Sequence, residues 1–150
     1  MMNLVLLHGR DSSKETFLSI VPELASRLGP AVTVVAIDLP GHGTDAAADA
    51  AQAYADEAAF VRAVDARIAL ALGDDAAARP LAILGHSMGA RAALIVAKHR
   101  PLQMLIVEDM DMRPRGPVRW ADADLAAFPG RFFKNFAALA TRRLVIFIFV

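Results

Sequence analysis

Ser87 is the residue with the clearest chemical potential, because it lies at the centre of a G-x-S-x-G pentapeptide at residues 85–89. The apolar run Leu81–Leu84 before it predicts a buried strand, and Met88–His99 after it has a helix-forming composition. Between two such elements the serine lies on a sharp, strained turn that exposes its hydroxyl group above the sheet. A serine hydroxyl becomes a nucleophile when a base removes its proton. The same pattern also fits a plain turn in which the serine caps the helix.

The composition limits the classes of protein that this chain can represent. It has 150 residues, 56% of them hydrophobic, which is enough for one domain with a buried core. Sixteen basic residues balance sixteen acidic ones, so we expect no nucleic-acid partner. The absence of cysteine excludes thiolate catalysis and cysteine-based zinc sites, and no G-x-G-x-x-G or Walker lysine pattern follows a strand. We therefore predict no metal, no cofactor, no membrane span and a cytoplasmic location.

Apolar runs that alternate with helical patterns predict an α/β fold, a mostly parallel sheet of about five strands with helices on both faces. We expect a single domain over residues 1–150, with strands at Asn3–Leu7, Val32–Ile37, Leu81–Leu84, Gln103–Val107 and Leu144–Val150. Helical periodicity covers residues 17–28, 52–72 and 88–99, and two shorter helices are expected around Asp122–Ala127 and Arg131–Ala140.

Several polar segments directly follow the predicted strands. Parallel strands joined by right-handed crossovers place their carboxyl ends at one edge of the sheet, where open α/β sheets bind ligands. The segments expected to meet there are His8–Arg10, Asp38–Gly43, Ser87 and the pair Glu108 and Asp109. The sequence therefore predicts a ligand site at this edge.

Three segments, taken in order, resemble the α/β-hydrolase superfamily and in particular its small esterases, lipases and thioesterases. They are Leu-Leu-His-Gly-Arg at 6–10, Asp-Leu-Pro-Gly-His-Gly at 38–43 and Gly-His-Ser-Met-Gly-Ala at 85–90. The resemblance implies hydrolysis of a small-molecule carboxylic ester or thioester through an acyl-enzyme on Ser87. It also implies an oxyanion hole formed by the backbone N–H groups of Arg10 and Met88.

The chain departs from this family in its candidate base. The family order is nucleophile, acid, histidine, but the only histidine after Ser87 is His99, at the far end of the same predicted helix. Glu108 and Asp109 are the candidate acids, with a solvated strand end as the alternative. His42 is the candidate for a base in a non-standard position.

These features predict a C-terminally truncated hydrolase whose activity is impaired or lost. Residues 110–141 are expected to form a lid-like or cap-like insertion, and 144–150 the last strand, whose apolar edge could mediate self-association. The alternative is a non-catalytic module that binds a small molecule or dimerises. We expect His8 to be structural and Asp38 to fix a turn.

Overall fold

The computed structural model describes residues 1–45, 50–73, 78–108, 131–134 and 146–149. Its strands are β1 (Met2–Leu7), β2 (Val32–Ile37), β3 (Leu81–His86), β4 (Met104–Glu108), β5 (Arg131–Lys134) and β6 (Ile146–Phe149). They form one sheet in the order β2-β1-β3-β4-β6-β5. The first four strands pair in parallel, whereas β6 is antiparallel to β4 and to β5. This confirms the predicted α/β class with a mostly parallel sheet.

The helices connect the parallel strands. They are α1 (Ile20–Leu28), α2 (Ala50–Ala53), α3 (Glu57–Leu72) and α4 (Met88–His99), with short 3₁₀ turns at Lys14–Phe17 and Gly43–Asp45. The expected helix over 52–72 is therefore two helices. The division falls before Asp56, whose extended backbone and side chain start α3 by accepting the N–H of Ala59 at 2.7 Å.

Alternate residues of β1 build the two layers of the core. Val5 and Leu7 face α3 and α4, where they pack with Val64 and Leu94. Leu4 and Leu6 face the other way and pack with residues that include Phe17, and α1 covers this second layer. Helices therefore lie on both faces of the sheet, which explains why the strand sequences are apolar throughout.

Two expectations about the last third of the chain need correction. The helix expected around Arg131–Ala140 is wrong at its start, because Arg131–Lys134 is strand β5, paired with β6 through its backbone. Aromatic residues at 132 and 133 favour a strand, and this pairing decides between the two structures. The helix expected at Asp122–Ala127 lies outside the described residues.

Strand β6 is paired on both sides, by β4 and by β5, so the edges of the sheet are β2 and β5. The open edge that we expected at the last strand is therefore occupied. In the described part of the chain, every helix is too short or too polar to cross a membrane.

Candidate active site

Ser87 occupies the sharp turn between β3 and α4. Its φ of 54° and ψ of −110° lie in a region that side chains rarely adopt. The hydroxyl group makes no hydrogen bond that caps α4. The alternative in which this serine caps the helix through its side chain is therefore wrong. What the sequence context predicted, a serine under backbone strain between a strand and a helix, is what the structure contains.

Gly85 and Gly89 allow the backbones around this turn to touch. A Cβ atom on Gly85 would lie 2.3 Å from the carbonyl oxygen of Gly89. A Cβ atom on Gly89 would lie 2.1 Å from the carbonyl oxygen of Leu7, in the neighbouring strand β1. Helix α4 therefore begins directly against the backbone of the sheet, a closeness that only glycine permits.

The backbone of β4 holds the turn on its other side. The Ser87 N–H donates to the carbonyl oxygen of Glu108 at 2.9 Å, and His86 is paired with Glu108 in the register of the two strands. The Glu108 side chain is exposed. Its observed contact with the turn is thus made by the main chain, and its role as an acid stays a prediction. Asp109 lies outside the described residues.

The loop after β1 lies against the serine turn, as the convergence of strand ends predicted. A Cβ atom built on Gly9 would lie 3.4 Å from Ser87 Cβ and 3.0 Å from His86 Nδ1. Arg10 follows directly and has an exposed side chain, while Met88 is the first residue of α4 and packs against the core. Both residues named for the oxyanion hole thus adjoin the Gly9–Ser87 contact in the chain.

His8 is fully buried, and both of its ring nitrogens have hydrogen-bonding partners. Nε2 accepts the backbone N–H of Leu39 at 3.0 Å, so the ring hydrogen is on Nδ1, which donates to the carbonyl oxygen of Gly9 at 2.7 Å. Burial is the main cause that lowers the pKa of His8; the charge of His42 acts in the same direction, whereas the bond to Gly9 and the charge of Asp38 oppose it. With both nitrogens engaged, His8 has a structural role and no free lone pair for Ser87.

Asp38 fixes the turn in which it lies. Its carboxylate accepts the backbone N–H of Lys14 at 2.7 Å and lies 3.6 Å from the Lys14 ammonium nitrogen. A Cβ atom on Gly43 would lie 2.2 Å from this carboxylate, so the side chain packs directly on the glycine. These contacts tie the loop after β2 to the segment that follows β1, which is the structural role expected for Asp38.

His42 is held by a carbonyl oxygen that the sequence did not single out. Its Nδ1–H donates to the carbonyl oxygen of Pro40 at 3.0 Å, and the hydroxyl group of Tyr54 donates to the same oxygen at 3.0 Å. Burial raises the pKa of Tyr54. A neutral His42 with its hydrogen on Nδ1 keeps the basic lone pair on Nε2. Its ring centre is 5.2 Å from that of His8, which places it beside the residue that contacts Gly9.

His99, the only histidine after the serine, belongs to a different cluster. It is at the last turn of α4, about 18 Å along the helix from Ser87, and its Nε2 lies 3.2 Å from a carboxylate oxygen of Glu57. Lys98 also binds this carboxylate, at 2.8 Å. The Lys98 hydrogen bond is the largest cause that lowers the pKa of Glu57. Within the described ranges, no group of three or more His, Asp and Glu side chains could hold a metal ion.

A parallel α/β sheet with a strained serine at the carboxyl edge, between a strand and a helix, defines a protein with the α/β-hydrolase architecture. The model of the alpha/beta hydrolase family matches residues 4–148, so the chain belongs to this family. A comparison with curated protein sequences gives no match.

Solved structures give the same fold. MenH from S. aureus is 28% identical, with a TM-score of 0.57, over 76% of this chain and 40% of that protein. The peroxisomal alpha-beta-hydrolase Lpx1 from Saccharomyces cerevisiae is 26% identical, with a TM-score of 0.58, over 78% of this chain and 34% of that one. A monoacylglycerol lipase from Paleococcus ferrophilus is 20% identical, with a TM-score of 0.54, over 89% of this chain and 50% of its own, and supports the fold alone. The chain thus spans at most half the length of these structures.

Proposed function

We propose that this chain carries the nucleophile and oxyanion hole of a serine hydrolase for small carboxylic esters or thioesters. The observation that carries the proposal is the backbone of Ser87, with φ at 54° and no capping bond from its hydroxyl group. Such a conformation costs on the order of 1–3 kcal/mol, and strain of this kind clusters at active sites. A serine that served only as a helix cap would adopt an ordinary extended backbone and use its oxygen on the helix.

In the proposed reaction, Ser87 Oγ bonds to the acyl carbon and its proton passes to a base. The C–O or C–S bond then breaks, the alcohol or thiol leaves with a proton, and water hydrolyses the acyl-enzyme. The N–H groups of Met88 and Arg10 would stabilise the negative oxygen, aided by the N-terminus of α4. The contact between Gly9 and Ser87 supports Arg10 in this role, because it brings the loop after β1 to the serine. The loss of one such donor typically reduces the rate by ~10²–10³.

His42 is our candidate for the base. Its Nδ1–H is committed to the Pro40 carbonyl oxygen, which leaves the lone pair on Nε2. His8 and His99 both have their own partners, and the sequence has no later histidine. We therefore expect slow acylation. When a serine hydrolase loses its triad, the oxyanion hole and binding retain only ~10³–10⁴-fold acceleration over water. Glu108 and Asp109 stay our candidate acids.

The test is covalent labelling with a fluorophosphonate, followed by measurement of the intact mass. We expect one adduct per chain for the wild type, none for Ser87→Ala, and an adduct on Ser26→Ala, which alters an exposed serine of α1. His42→Gln should slow labelling at least tenfold if this ring is the base. Labelling of Ser87→Ala at the wild-type rate, or no adduct on a folded wild-type chain, would contradict the proposal.

The second candidate is a non-catalytic module that binds a small molecule or dimerises. The engagement of His8 and His99 favours it, because neither can serve Ser87 as a base. Self-association through the last strand would have to compete with β5, which pairs with β6. An unreactive Ser87 together with a concentration-dependent oligomer in sedimentation would favour this module. For the serine hydrolase, we also propose that residues 110–141 form a lid-like insertion and that the protein is cytoplasmic.

A further inference from the structure

His8 lies where two loops leave the sheet. Strands β1 and β2 pair in parallel up to Leu7 and Ile37. One residue further along the chain, the His8 ring continues the connection, because Nε2 accepts the N–H of Leu39 while Nδ1–H donates to the carbonyl oxygen of Gly9. A side chain thus links the two loops just beyond the end of the backbone pairing.

We propose that His8 positions the oxyanion-hole loop by linking it to the loop after β2 at Leu39, and that this link exists only while the ring is uncharged. The inference rests on the proposed function, since it concerns the donor assigned to Arg10. Its first basis is connectivity. His8 is bonded to Gly9 on one side and Leu39 on the other, and Gly9 is the residue that meets the serine turn.

The second basis is the chemistry of the ring. A protonated imidazole carries hydrogens on both nitrogens. Nε2–H would then face the N–H of Leu39 across 3.0 Å, two donors without an acceptor between them. The bond that ties the loop after β2 would be lost, while the bond to Gly9 could persist. Acid should therefore disconnect the two loops and leave the sheet below them paired.

The charged and titratable groups around His8 come from several elements. From the loop after β2, Asp38 Oδ1 lies 3.9 Å from Nε2, and the His42 ring is tilted against the His8 ring with 5.2 Å between their centres. Asp38 is engaged by Lys14, from the segment after β1. His86, at the end of β3, lies against Gly9. Burial is the largest cause that lowers the pKa of His8, and the charge of His42 acts in the same direction. The bond to Gly9 and the charge of Asp38 raise this pKa, which is lowered overall. The neutral ring is thus the resting form near neutral pH.

The direct test is long-range ¹H–¹⁵N NMR of the histidine rings, combined with hydrogen exchange of backbone amides in the wild-type chain. Near pH 7.5 we expect His8 to carry its hydrogen on Nδ1. On acidification the protection of the Leu39 amide should fall at least tenfold as His8 titrates, beyond the intrinsic effect of pH, and the Arg10 amide signal should shift with the same midpoint. The amide of Val35, inside β2, should keep its protection. This control distinguishes local loss of the Leu39 hydrogen bond from unfolding of the sheet.

Two variants separate the two bonds of the ring. In His8→Gln, the side-chain oxygen can accept the Leu39 N–H without a titrating group, so Leu39 should stay protected in acid. In His8→Asn, the shorter amide can donate to Gly9 but cannot reach Leu39, so protection should be lost at every pH. A ring hydrogen on Nε2, or an Arg10 signal that does not respond to His8 titration, would overturn the inference. These outcomes need no activity, so an unreactive Ser87 would refute the proposed function and leave this test intact.

Discussion

Replacement of Ser87 by glycine should stabilise the protein, although it removes the proposed nucleophile. Glycine adopts positive φ without the steric cost that a Cβ atom imposes, and Ser87 has a φ of 54°. Ser87→Ala removes the same hydroxyl group but retains the Cβ atom and the strain. The comparison of the two variants therefore isolates the backbone cost of the turn from any contribution of the hydroxyl group.

The expected difference in the free energy of unfolding between Ser87→Gly and Ser87→Ala follows from two opposing effects. Relief of a sparsely populated backbone conformation is worth about 1–3 kcal/mol. Glycine in place of alanine gives the unfolded chain more freedom, which costs about 0.4–1 kcal/mol. We expect Ser87→Gly to exceed Ser87→Ala by roughly 0.5–2 kcal/mol in the free energy of unfolding, or a few degrees in Tm for a chain of this size.

Urea denaturation followed by circular dichroism measures this difference. Ser26, exposed in α1, provides the matched control, because its backbone is helical. There the order should reverse, with Ser26→Gly less stable than Ser26→Ala by about 0.5–1 kcal/mol. If Ser87→Gly were no more stable than Ser87→Ala, the turn would hold no strain, and the observation that carries the proposed function would lose its meaning.

Two further substitutions test how the surrounding structure is held. Gly89→Ala should destabilise by about 2 kcal/mol or more, because the new methyl group would lie 2.1 Å from the Leu7 carbonyl oxygen. At Ala66, an exposed residue of α3, alanine should instead be more stable than glycine by about 1 kcal/mol, so Ala66→Gly is the control. If chemical denaturation showed alanine to be as stable as glycine at position 89, the packing argument would be contradicted. Glu57→Gln should cost at most about 1 kcal/mol at neutral pH. Because the hydrogen bond from Lys98 lowers the pKa of Glu57 from 4.5, this carboxylate stabilises the fold above that value and the difference from the variant should vanish as the pH falls through the lowered pKa. If the difference in the free energy of unfolding between the wild type and Glu57→Gln persisted in acid, or did not change with added salt, the ion pair would be excluded as its cause.

Local sequence patterns correctly predicted the helices and strands whose own residues show a clear composition or periodicity. The β-branched run Val32–Ile37 and the helix Met88–His99 have in the structure the limits that the sequence indicated. The break before α3 was missed, because an alanine-rich segment favours helix throughout and only the Asp56 cap divides it. Strand β5 was missed because its pairing with β6 joins segments that no local periodicity relates.

The candidate site, like the fold, was predictable from the sequence only in part. The turn at Ser87 was predictable, since the strand, the glycines and the helix are adjacent in sequence. The role of His8 was anticipated, but not its partner Leu39, 31 residues away. The shared use of the Pro40 carbonyl oxygen by His42 and the single tyrosine of the chain carried no sequence signal. Contacts between loops depend on which strands are neighbours, and the order of strands becomes known only with the fold.

The strain at Ser87 persists because contacts with two strands and with one loop hold the turn. Gly89 fixes the start of α4 on β1, the carbonyl oxygen of Glu108 in β4 accepts the Ser87 N–H, and Gly9 closes the side that faces the loop after β1. A relaxed φ would require movement away from at least one of these contacts. The energy that the core gains by packing α4 against the sheet thus maintains an unfavourable backbone conformation at the half-buried Ser87.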